Sequence, residues 1–152
     1  MPEEFEYNSK ISFHPNAEAK RSILLVEDEE YVREVAREIL ELEGYRVFEA
    51  SHPNEALERY EQHGGNIDLL LTDVVMPGMD GHDLAVRLTR RQPSIKSIFM
   101  SGYTENALLR RGIRDLNAVY LQKPFTLQAL VEKVREVIAD PTPQSSVHPR
   151  DL

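Results

Sequence analysis

The sequence predicts an α/β fold in which a five-stranded parallel sheet is covered by helices on both faces. Three observations predict it: short aliphatic runs recur along the chain, helical apolar periods lie between them, and the connections are brief. Parallel neighbours need a crossover, which a helix supplies. Strands buried on both faces can be apolar at every position.

The first aliphatic run is ILLV at residues 23–26. Val32, Val35, Ala36, Ile39 and Leu40 then recur at helical spacing, with Glu and Arg on the other face and Gly44 as the stop. Residues 46–50 (RVFEA) read as a strand. Ser51 is the expected cap of a helix that runs through Ala56, Leu57 and Tyr60 to Gly64-Gly65. Residues 67–72 form the third strand, which ends in Asp73. The loop MPGMDG (76–81) follows, and Leu84, Ala85 and Leu88 continue as a helix until Pro93.

Residues 97–100 (SIFM) make the fourth strand, and Thr104 caps a helix expected to reach Gly112. Residues 118–122 (AVYLQ) are the fifth strand. Thr126 caps the last helix, whose apolar face is Leu127, Leu130, Val131, Val134, Val137 and Ile138; Asp140 ends it before Pro141.

A chain of 152 residues is one domain, placed at 21–140. Residues 1–20 hold no clean period and are expected to be a flexible extension. Residues 141–152 (PTPQSSVHPRDL) read as a disordered, proline-rich tail. Zero cysteines excludes disulfides, thiolate zinc sites and cysteine nucleophiles. A net charge of −8 argues against direct binding of nucleic acid, whose phosphates need clustered Lys and Arg. No aliphatic run approaches the roughly 18 residues of a membrane span, and MPEEFEYNSK lacks the order of a secretory signal. A cytoplasmic protein is expected.

In an open parallel sheet, ligands bind outside the carboxyl ends of the strands. There the sequence places Glu27-Asp28-Glu29-Glu30, then Asp73, then Ser101-Gly102, then Lys123-Pro124-Phe125. Alone, each is ordinary: a turn residue, helix-terminal charge, a cap, a solvated lysine. Four residue types at four strand ends are not. Gathered carboxylates repel one another unless a cation joins them, and hard oxygen donors select Mg²⁺, with Mn²⁺ as substitute. A carboxylate beside such an ion and a lysine is equipped to attack phosphorus in line.

ILLVEDEE (23–30), LLTDVVMPGMDG (70–81), FMSGYT (99–104) and YLQKPF (120–125), in this order and spacing, resemble the receiver domain of response regulators in two-component signalling. The resemblance implies a flavodoxin-like doubly wound (βα)5 three-layer sandwich with strand order 2-1-3-4-5. It implies that Asp73 accepts a phosphoryl group from a histidine kinase or histidine phosphotransfer protein. Asp28 would touch Mg²⁺ directly, Glu27 through water, and Val75 through its backbone carbonyl. Ser101 and Lys123 would bind the phosphoryl oxygens, and Pro124 would follow a cis peptide. Ser101 and Tyr120 match the switch residues, the tyrosine turning inward after phosphorylation. Bulky Val75 and Tyr103 beside the site are expected to hinder water and prolong the phosphoryl group's life.

If 152 residues are the whole protein, no residues are left for an output domain, and the output would be an altered protein-binding surface, through an unknown partner protein, a phosphorylation-dependent dimer or onward phosphotransfer. The motif wording is similar to receivers joined to hybrid histidine kinases, so a receiver fragment of such a kinase is an alternative. An aspartyl-phosphate phosphatase is a weaker one, because its second acid two residues after the nucleophile is replaced in Asp73-Val74-Val75. A mononucleotide-binding module fails: Glu27–Glu30 would repel the phosphate that a glycine-rich cradle should hold. The expectation is a signalling domain, not a turnover enzyme.

Overall fold

A computed structural model describes residues 20–104, 107, 110 and 118–141. The expected N-terminal extension up to residue 19, the tail beyond Pro141 and most of the helix expected from Thr104 to Gly112 lie outside the described residues. Thr104 does act as a cap, its Oγ1 accepting from the Ala107 amide at 3.1 Å.

The described elements are β1 (Ser22–Val26), α1 (Glu30–Leu42), β2 (Arg46–Ala50), α2 (Pro53–Gln62), β3 (Leu69–Asp73), α3 (Gly81–Arg91), β4 (Lys96–Ser101), β5 (Val119–Gln122) and α4 (Leu127–Ala139). The strands form one sheet in the order β2-β1-β3-β4-β5, every pair parallel. The doubly wound architecture and order 2-1-3-4-5 are those expected.

Alternation along β1 explains why SILLV is apolar almost throughout. Ile23 and Leu25 point to one face, where they join Leu40 of α1 and Leu130 and Val134 of α4. Leu24 and Val26 point to the other, with Tyr60 of α2, Leu84 and Leu88 of α3, and Phe99 of β4. Helices on both faces leave β1 and β3 no wet side, so each of their positions is buried. Among the described residues, no helix is long and apolar enough to cross a membrane.

Several strand ends shift by a residue or two from the pattern reading, and two of the differing boundaries have a clear local cause. Ile67 is buried but precedes β3, because its amide and carbonyl bond the Gln92 side chain (3.0 and 2.7 Å) rather than a neighbouring strand. The cap of α2 is His52, not Ser51: Pro53 has no amide to donate and takes the first helical position, so the cap falls one residue later. His52 Nδ1 accepts from the Glu55 amide at 3.2 Å, while Ser51 donates its amide and hydroxyl to Glu55 Oε1 at 2.7 and 3.0 Å. These exchanges close the turn with reciprocal bonds, as a capping box does.

Candidate functional site

The sheet register brings the expected acids together. Val26 pairs with Thr72, so the residues that follow, Glu27 and Asp73, emerge side by side at the centre of the carboxyl edge. Carboxylate oxygens of Glu27, Asp28 and Asp73 lie within 4.8 Å of one another. Glu27 is fully buried, Asp73 4% exposed and Asp28 open to solvent. Ser101 pairs with Gln122, and the Lys123 amide donates to the Ser101 carbonyl at 2.7 Å. From that anchor Lys123 Nζ reaches Glu27 Oε1 and Asp73 Oδ1, both at 2.7 Å. The Lys123–Pro124 peptide is cis.

Backbone and side-chain bonds fix these groups. Glu27 Oε2 accepts from the Glu29 amide at 3.0 Å, and Arg33 Nη1 donates to the Glu27 carbonyl at 2.8 Å. Arg33 Nε also donates to Glu49 Oε1 (3.3 Å), which ties the acidic turn to edge strand β2. Beyond Asp73, the Val74 amide continues the ladder to Met100 and the Gly81 amide donates to the Val74 carbonyl at 2.7 Å. The Gly81 α-carbon lies against the Asp73 carbonyl so closely that a Cβ would collide with that oxygen and stand 3.0 Å from the carbonyl carbon. The MPGMDG loop therefore needs its final glycine for close approach, a requirement that the pattern reading did not identify.

Charge balance decides what the pocket can hold. Burial first, then the hydrogen bond and charge of Glu27, push the Asp73 carboxyl up to about 8, against the pull of Lys123. Burial alone would lower the Lys123 pKa, but its bonds to Asp73 and Glu27 outweigh that and raise it. Among the described residues, Glu27 Oε1 has no partner other than the Lys123 ammonium. Three acids facing one ammonium, all with hard oxygen donors, fit a divalent cation of the Mg²⁺ class.

Of the expected residues, Glu27, Asp28, Asp73 and Lys123 converge. Ser101 is buried at the adjacent strand end, but its hydroxyl is engaged locally, accepting from the Tyr103 amide at 2.9 Å and contacting the Tyr103 carbonyl at 3.3 Å. Val75 and Tyr103 are exposed, at 42% and 41%. Tyr120 is half-buried on β5, and its hydroxyl lies 3.2 Å from Nε2 of His82, a residue that the pattern reading passed over.

Comparison with known proteins points one way. The sequence profile of the response regulator receiver domain matches residues 23–135. The chain is 41% identical over 129 residues to the sensor kinase CckA of Brucella abortus (strain 2308), covering 85% of this chain and 14% of the kinase. It therefore spans only a small part of that relative. It is 36% identical over 118 residues to the response regulator receiver protein CpdR of the same organism, covering 78% of this chain and 97% of CpdR. Among solved structures, the receiver domain from the hybrid histidine kinase CckA superposes with a TM-score of 0.64 at 37% identity, over 77% of this chain and 98% of that one.

Proposed function

Because the chain belongs to the response regulator receiver domain family, a signalling domain of two-component systems rather than a turnover enzyme, we propose that Asp73 is its phosphoacceptor. The observation that carries this reading is the Lys123 ammonium 2.7 Å from the Asp73 carboxylate, in a pocket that also holds Glu27 and Asp28. The family implies a histidine kinase as partner; a histidine phosphotransfer protein would serve the same step. Residues 21–140 are the receiver unit in this reading, which the profile match at 23–135 supports.

In the transfer, an Asp73 oxygen attacks phosphorus as the bond to the donor's imidazole nitrogen breaks, and the imidazole leaves. Attack needs the ionised carboxylate, which Lys123 favours against burial and Glu27. Glu27, Asp28, Asp73 and the Val75 backbone carbonyl would hold Mg²⁺ or Mn²⁺, which when bound offsets the charge on the phosphoryl oxygens. Lys123, 2.7 Å from the Asp73 carboxylate, would pair with one of those oxygens. For Ser101 to bond another, its hydroxyl must leave Tyr103, and that exchange would carry the loop after β4 with it. With Tyr120 on neighbouring β5, the rearrangement would alter a protein-binding face, the output of the switch.

The test is incubation with acetyl phosphate and Mg²⁺, read by intact mass. Wild type is expected to gain one phosphoryl group that Asp73→Asn does not; an adduct that persists in the variant refutes the assignment. The 37% identity to the receiver domain from a hybrid histidine kinase supports a second reading, in which this receiver works within such a kinase. The mass of the native gene product separates the two.

A further inference from the structure

Behind the site, His82, Phe99 and Tyr120 form an aromatic cluster that joins α3, β4 and β5. Phe99 is fully buried and stands opposite Tyr120 in the β4–β5 register. The His82 ring meets Phe99 edge-on at 4.2 Å between centroids and Tyr120 at 6.0 Å, and the Phe99 and Tyr120 rings are 5.8 Å apart. Such contacts favour packing of the tyrosine ring, and its hydroxyl meets the imidazole at Nε2, 3.2 Å away.

His82 is well placed to act on Tyr120. It follows Gly81, whose amide is bonded to the Val74 carbonyl and whose α-carbon abuts the Asp73 carbonyl. Its backbone is thus indexed to that of the acceptor. Burial lowers its pKa against the opposing pull of Asp80 and Asp83, which favours the neutral ring, and Nε2 can bond the tyrosine hydroxyl as donor or acceptor according to the tautomer.

We propose that His82 is a positioning residue that holds Tyr120 inward before any phosphoryl group reaches Asp73. This rests on the reading of Tyr120 as a switch residue. On this proposal the ring is already lodged against Phe99 before transfer, in place of the inward turn after phosphorylation that the resemblance implies, and the change at the protein-binding face falls to Ser101 and the loop after β4. The histidine ties the lodged ring to α3.

Solution NMR on the full chain tests this, using through-space transfer between the ring at position 120 and Phe99 in the unphosphorylated protein. Wild type is expected to show strong transfer. His82→Leu, which keeps apolar volume and removes the nitrogen, is expected to shift the inward-to-outward ratio about fivefold toward outward. Tyr120→Phe removes only the hydroxyl; it is expected to weaken the same transfer and to move the His82 Nε2 resonance, so it decides the matter if the histidine variant does not fold. Equal transfer in wild type and either folded variant overturns the proposal.

The outcome is separable from that of the functional reading. Absence of an acetyl phosphate adduct would defeat phosphorylation at Asp73, while the unphosphorylated comparison would still decide the role of His82.

Discussion

Asp73 is held where burial and Glu27 disfavour its charge and Lys123 opposes them, so its protonation is linked to stability. The unfolded chain releases this proton near the ordinary value of 3.8, whereas the folded site keeps it up to about 8. Across that window the folded state binds more protons, so this group's contribution to stability is present at low pH and lost as pH rises through about 8. The Lys123 pKa is raised from 10.5, outside the window. In EDTA, Asp73→Asn is therefore expected to gain on wild type as pH rises, ending about 1 kcal/mol more stable at pH 8 by urea midpoint. Mg²⁺ should stabilise wild type more than the variant; equal effects would argue against the ion binding at Asp73. Gly81→Ala gives a second expectation, because its methyl meets the Asp73 carbonyl. It should cost about 2–3 kcal/mol and reduce phosphorylation, while a wild-type urea curve would show that the loop yields. At this scale the sequence disclosed the acids and the lysine, since each ends a strand and a parallel sheet gathers strand ends. It did not disclose His82, whose role depends on a contact 38 residues away that no local period encodes.

Helices and strands were legible wherever burial has a period. Val32, Val35, Ala36, Ile39 and Leu40 lie on α1, and its two buried members, Ala36 and Leu40, face the sheet. Boundaries were legible only where one residue forces them. Thr126 caps α4 as expected, its hydroxyl 2.9 Å from the Ala129 amide, whereas Asp80, read only as part of a turn-rich loop, caps α3 at 2.8 Å from the Asp83 amide. At α2, Pro53 at the first helical position moved the cap from Ser51, the more familiar cap residue, to His52. Aliphatic character at Ile67 extends the strand pattern past the start of β3, because it cannot say whether a backbone bonds a strand or a side chain. Gln92 takes up both of its backbone groups and also accepts from the Tyr60 hydroxyl at 3.0 Å. Gln92→Ala is accordingly expected to lower stability by about 2 kcal/mol with an unchanged denaturant slope. A loss within a few tenths would mean that other groups replace the clamp.

Two apolar layers share one sheet, and neither can persist without it. Ile23 and Leu24 are sequence neighbours that anchor opposite layers. Urea unfolding is therefore expected to be a single transition, with coincident midpoints from far-UV circular dichroism and from fluorescence of the six tyrosines in this tryptophan-free chain. Separate midpoints would show that the layers melt independently. The global topology was legible because alternating strands and helices in a short chain admit few arrangements, and strand order followed from family likeness rather than from any pattern within the strands.

The double engagement of Lys123 has a thermodynamic corollary. One ammonium serves two acids, so an incoming anion that draws it to itself strips Glu27 of its counter-charge. The deficit is met most readily by a cation drawn from solution. Donor loading and ion uptake are then heterotropically linked, each strengthening the other by an equal factor.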